Sequence, residues 1–189
     1  MVNQQCVKGN VSYVSNVARK YGKIPVLSAV NDNGRFCIHE AARNGKTDLV
    51  DFLLIMDPSQ VQKTDFMHGT PLHLAAFSGS VNASKLLMKY QADPNARNFA
   101  GETPLHQIVK SPGTRTRIPL IRLLMERGVD LEMKSSGGDT ALLLAIRLKM
   151  TEMIKELVKL GAKTDGLRVM SFPYYIRQAI KDGKNLISE

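Results

Sequence analysis

The chain has no apolar run near the roughly 20 residues that a membrane-spanning helix needs. Its opening, Met1-Val2-Asn3-Gln4-Gln5, has no apolar stretch of the kind an export leader carries. Cysteine is nearly absent: Cys6 and Cys37 are too few for a disulfide scaffold and fit a reducing compartment. The expected location is therefore cytoplasmic and/or nuclear, with no membrane partner. Acid is missing from residues 1–30, which carry Lys8, Arg19, Lys20 and Lys23 but neither Asp nor Glu. Aromatics make up 6% of the chain, few for stacking on unpaired bases, and no base-reading motif occurs. G-x-G-x-x-G, a Walker loop and cysteine pairs at metal spacing are also missing. Nucleotide-cofactor and zinc chemistry thus lose their usual signatures, and the expected cofactor is none.

What is present is basic and ordinarily apolar. Lys and Arg number 26 against 17 Asp and Glu, a formal charge of +9 that favours acidic partners. An apolar content of 43% over 189 residues is enough for one sizeable core.

That core is written as a repeat. Thr70-Pro71-Leu72-His73-Leu74-Ala75-Ala76-Phe77-Ser78-Gly79 reads as a short capped helix. Thr70 is the cap, Pro71 the first-turn residue and Gly79 the stop. Leu86-Leu87-Met88 form the apolar face of a second, antiparallel helix, closed by Ala92-Asp93-Pro94-Asn95. Related stretches begin at Ile38-His39, Thr103-Pro104-Leu105-His106 and Thr140-Ala141-Leu142-Leu143, at steps of 34, 33 and 37 residues. Leu53-Leu54, Leu87-Met88, Leu124-Met125 and Leu157-Val158 keep the same phase.

A unit of about 33 residues carrying T-P-L-H-x-A resembles the ankyrin-repeat family. The resemblance spans about Asn31 to Asp165 and implies an all-α solenoid of stacked helix-turn-helix units with short β-hairpin-like turns. Four repeats are expected at about 31–62, 64–97, 98–134 and 135–165. Residues 1–30 read as a degenerate N-terminal cap with helical spacing over Val11–Ala18 and a short helix at Val26-Leu27. Residues 166–189 read as a truncated C-terminal cap. There Ile176, Ala179, Ile180 and Gly183 sit in phase with a first helix, and Phe172, Tyr174 and Tyr175 shield the last apolar face. The chain departs from the family pattern at Phe36-Cys37, where Thr-Pro is usual, so that helix should lean on packing. His68 stands where the family has Gly. The third unit carries four extra residues within Lys110–Arg117, expected as a projecting loop.

His39, His73 and His106 recur at one position, but metal ligation fails on distance. Neighbouring helices lie about 8–10 Å apart, whereas the nitrogens of a zinc site must approach within roughly 4 Å of one another. Each His should instead bond backbone in the adjacent unit. Cys37, near His39 and at a helix start, is the one candidate nucleophile; no separate acid or oxyanion loop accompanies it. The chain reads as no enzyme.

The resemblance implies a partner surface made of turn tips and the exposed side of each first helix. By position this gives Arg35 and Arg43 in the first unit and Phe66, Met67 and Phe77 in the second. The third gives Phe99 and Lys110, the fourth Arg147, and the inserted loop Arg115 and Arg117. Three aromatics and a Met make an apolar centre with cations outside it, as binding hot spots are arranged. The alternative is that Phe66, Met67 and Phe99 fold back into their turns. The expected function is a non-catalytic protein-binding module whose partner has an acidic and apolar contact segment. Its form could be a masking inhibitor similar to those of Rel/NF-kappa-B factors (IkappaB-like). Adaptors and inhibitors of cyclin-dependent kinases are the alternatives, and nucleic acid is disfavoured. Asn95 occupies the position hydroxylated in some ankyrin repeats, and turn bonding is the competing role.

Overall fold

Pro at a helix start, a hydroxyl before it and a left-handed residue after it recur along the chain, and they produce helices in pairs. The computed structural model describes residues 2–111, 117–165, 167 and 169–185, in which twelve α-helices are formed. The first helices of the pairs are α1 (Val2–Lys8), α4 (Cys37–Arg43), α6 (Pro71–Ser78), α8 (Pro104–Lys110) and α10 (Ala141–Arg147). The second helices are α2 (Val11–Tyr21), α5 (Thr47–Met56), α7 (Val81–Lys89), α9 (Ile118–Met125) and α11 (Thr151–Lys159). Like packs on like. α1, α4, α6, α8 and α10 form one row, and α2, α5, α7 and α9 continue a second row behind it. This is an all-α solenoid whose core is a line of buried Leu, Ile, Val and Ala between the rows. Among the described residues the only β pairing is an isolated bridge between Val30 and Phe36.

Local sequence explains the start of α6. Thr70 Oγ1 accepts the His73 N–H, Pro71 opens α6, and Gly79 closes it at φ 74°. Phe36 offers no hydroxyl to α4. Its ring stacks on His39 at 5.8 Å instead, with the Lys63 ammonium 5.1 Å from its face. The helix missing its cap is held by packing, as its sequence implied.

The two ends differ from the sequence reading. Residues 2–21 form a full helix pair, in which Val11–Tyr21 is the second helix and Val2–Lys8 a first helix that the apolar pattern did not reveal. Val26-Leu27 belong to a four-residue turn of helix, α3 (Ile24–Leu27), that follows this pair. Cys6 and Cys37 are joined by a disulfide that ties α1 to α4, both residues fully buried. They are therefore not separate thiols. Cys37 is no free nucleophile here, and the pair no longer argues for a reducing compartment.

At the far end, α12 (Tyr174–Asn185) buries Ile176, Ala179, Ile180 and Gly183 against α11, not against α10 as a fifth first helix would. A Cβ on Gly183 would lie 2.7 Å from the Lys155 carbonyl oxygen, so the bare glycine lets the two helices close up. Phe172 packs on the core, while Tyr174 and Tyr175 remain exposed.

Candidate functional site

Between the helix pairs the backbone projects four turns of identical hydrogen bonding. In each, the first residue's N–H donates to the fifth residue's carbonyl: Asn31 to Arg35, Asp65 to Gly69, Asn98 to Glu102 and Ser135 to Asp139. The first residue's side chain completes the loop. Asn31 Oδ1 accepts the Asn33 and Arg35 N–H groups, and Asp65 Oδ1 accepts those of Met67 and Gly69. The fourth residue must be left-handed, which Gly34, Gly101 and Gly138 adopt readily. His68 takes the same conformation at φ 56°, and its ring meets Phe99 edge-on at 6.0 Å.

The turns are laced to one another. Phe66 N–H donates to Asn33 O (3.1 Å), Phe99 N–H to Met67 O (2.8 Å), and Ser136 N–H to Ala100 O (2.8 Å). A second lacing lies beneath. His39, His73 and His106 each use Nε2–H to donate to a carbonyl of the next turn, those of Gly69, Glu102 and Asp139, at 2.9–3.0 Å. A carbonyl can only accept, so Nε2 carries the proton and Nδ1 is the acceptor. Nδ1 takes the N–H of Phe36, Thr70 and Thr103 respectively. Both nitrogens are spent on backbone, which leaves no lone pair for a metal. Burial pushes all three imidazoles below their ordinary range, His39 to about 4. Asn95 links two successive units by donating to Gly128 O (3.0 Å) and accepting from Asp130 N–H (2.8 Å).

The rigid ladder presents side chains at its tips. Phe66, Met67 and Phe99 are 69%, 61% and 72% exposed. The Phe66 ring rests on Gly34, where a Cβ would collide with it. These residues lie across the turns and are not folded into them. Phe77, at the end of α6, is 37% exposed. Polar tips, Asp32-Asn33 and Ser136-Gly137, flank this apolar centre.

The cations assigned to the rim divide. Arg35 is half-buried, with Nε 3.3 Å from Asp65 Oδ2 and Nη1 3.7 Å from Glu40 Oε1. Lys110 pairs with Glu102, and Arg147 with Asp139 at 2.7 Å. Arg43 is exposed and has no ion pair among the described residues. Arg115 lies outside the described residues. Arg117 is not a surface contact at all: it is buried, and its Nη1 donates to Ala76 O (3.1 Å) and Phe77 O (2.6 Å). Its guanidinium thus satisfies the last carbonyls of α6, where a cation suits the helix dipole. Residues 112–116 of the inserted segment, expected as a projecting loop, lie outside the described residues. Sequence periodicity could not show the partners of Arg117 or the Arg35–Asp65 pair, because these lie 30 to 41 positions apart, across different units.

No described helix is long and apolar enough to cross a membrane. Residues 15–98 match a family model described as ankyrin repeats, in three copies. Human transient receptor potential cation channel subfamily A member 1 is 30% identical over 146 residues, 77% of this chain and 13% of that protein. Its Caenorhabditis elegans homolog is 43% identical over 75 residues, 40% of this chain and 6% of that protein. Zebrafish (Danio rerio) neurogenic locus notch homolog protein 1 is 33% identical over 132 residues, 70% of this chain and 5% of that protein. The chain corresponds to a small part of each of these relatives.

Proposed function

Because this chain belongs to the ankyrin-repeat family, whose stacks are protein–protein interaction modules, we propose that it binds a protein partner through the turn tips and the exposed side of its first helices. The observation that carries this reading is the exposed row Phe66, Met67 and Phe99, held on a laced backbone. Side chains on a pre-ordered frame lose little freedom when a partner covers them. The partner contributes apolar groups to the centre. The acids beside Arg35, Lys110 and Arg147 already neutralise most of the rim, so apolar contact rather than charge dominates there. Turnover is no part of this reading: the stack acts by covering a surface of its partner. An IkappaB-like inhibitor that masks a transcription factor in the cytoplasm or nucleus is one form of such covering.

Capture from native lysate followed by mass spectrometry, with wild type and the Phe99→Ala and Phe77→Ala variants, tests the assignment. Phe99 is largely exposed, so its truncation is expected to cost folding less than about 0.5 kcal/mol. In Phe99→Ala captured partners should fall away while the melting temperature holds. A lower melting temperature with capture unchanged would show that the binding surface lies elsewhere.

A further inference from the structure

The formal charge of +9 must be expressed somewhere, and Arg35, Lys110 and Arg147 on the finger side are matched by acids of the chain itself. On the row of second helices an open cleft of about 320 Å³ lies between α5, α7 and the turn after α9. It is lined by Thr47, Asn82, Lys85, Leu86, Lys89 and Arg127. Three of the six are cations and none is an acid. Among the described residues none of the three has an ion pair. Lys85 and Lys89 stand four apart on α7, the spacing at which like charges disfavour a helix. Lys89 lies in the last turn, where a cation suits the helix dipole, but α7 holds no acid to balance Lys85.

Arg127 is held in place: its Nη1 donates to Met88 O at 3.1 Å, beside Lys89. Its remaining N–H groups have no partner among the described residues, and an arginine offers five in a fixed fork that suits a carboxylate. Leu86, half-buried on the core, gives the cleft an apolar surface, and Thr47 and Asn82 give it polar groups. A neighbouring hollow of about 470 Å³ shares Thr47 and Asn82 and adds Lys46 and a single acid, Asp48.

We propose that this cleft binds an acidic, extended polypeptide segment, with carboxylates on Lys85, Lys89 and Arg127 and an apolar side chain over Leu86. Charge complementarity selects an anion, and the apolar surface between the cations selects a chain that alternates acid with hydrocarbon. A nucleic-acid strand would want aromatic surfaces for its bases, which the lining lacks. This second surface lies on the other row of helices from the exposed aromatic tips and does not depend on them.

Fluorescence anisotropy of the intact chain with a labelled Glu-Glu-Leu-Glu-Glu-Leu-Glu-Glu peptide is the test. Affinity is expected to fall about tenfold in the Lys85→Gln, Lys89→Gln, Arg127→Gln triple variant. It should fall about threefold in the double variant that keeps Arg127 and its bond to Met88, and several-fold when salt rises from about 50 to about 200 mM. Lys110→Gln and Phe99→Ala should stay within about twofold of wild type, since they touch only the finger side. Equal affinity in the triple variant, or an equal loss in Lys110→Gln, overturns the site. Anionic vesicles or a DNA strand that bind through the same three residues while the peptide does not overturn the occupant.

Discussion

Acidification from about pH 7.5 to about pH 5 should loosen the stack through its histidines. His39 is fully buried, and burial holds its folded-state pKa at about 4, below the ordinary 6.5. Asp65 nearby pulls the other way and Arg35 with burial, but burial is the largest cause. A depressed histidine pKa means that the unfolded chain takes the proton first. The stability this group confers is therefore complete above pH 6.5 and is lost as the pH falls from there toward 4. The shift amounts to about 2 kcal/mol lost at about pH 5 from His39 alone, at 1.36 kcal/mol per unit of pKa. His73 and His106, lowered by the same cause, add to it in the same direction. Chemistry agrees with the sign: protonation at Nδ1 would turn the acceptor facing the Phe36 N–H into a second donor. With a urea m-value of about 2 kcal/mol/M, the midpoint should drop by about 1 M between the two pH values. Circular dichroism at the helix band reads this directly, and His39→Gln should flatten the slope while lowering stability at neutral pH. An imidazole NMR signal for His39 titrating near its unperturbed value, or the same pH slope in wild type and variant, would refute the reasoning.

Three further outcomes follow from groups deeper in the stack. Arg117→Ala strips the Ala76 and Phe77 carbonyls of their charged donor and should cost about 2–3 kcal/mol in a denaturant titration; an unchanged midpoint would return Arg117 to the surface. Ser84, fully buried in α7, has a hydroxyl that meets no hydrogen-bond partner among the described residues. Ser84→Ala should therefore raise stability by about 1 kcal/mol, measured as a higher melting temperature. Reducing the Cys6–Cys37 link opens a loop of 31 residues and should remove about 3–4 kcal/mol by the chain-entropy model. A melt with and without a phosphine reductant measures it, and coincident curves would show that the link does not hold the N-terminal helix pair.

The stacked units were legible because their signals are local. Thr70, Pro71 and Gly79 are neighbours in sequence, and each acts within a turn or two of itself. The histidines were legible for a related reason: a residue that recurs every 33 or 34 positions must meet the same surroundings each time. What escaped were partnerships between units that repeat nowhere else. Arg117 looked like one more cation in a basic loop, because nothing in Lys110–Arg117 announces the end of a helix 40 residues earlier. Helix α1 escaped because only Cys6 of its seven residues is buried, which leaves no periodicity to read. At the other end Ile176, Ala179 and Ile180 are buried on one helix, but their spacing, read as that of a fifth first helix, does not say which helix will be met. Gly183 decided that by allowing α12 to approach α11.

The rim charges show why a count of cations misplaces a binding surface. Asp65 is buried because its Oδ1 must close the turn that carries Phe66 and Met67. A carboxylate held there needs a counter-charge, and Arg35, one turn earlier in the stack, supplies it through Oδ2. Glu102 and Asp139 end the next two turns, accept their neighbouring histidines through their carbonyls, and hold Lys110 and Arg147 with their side chains. The finger face is therefore close to neutral as a consequence of how its turns are built. Binding at Phe66, Met67 and Phe99 should then depend little on salt, while long-range attraction of an acidic partner should arise from cations such as Lys85, Lys89 and Arg127, which have no ion pair among the described residues.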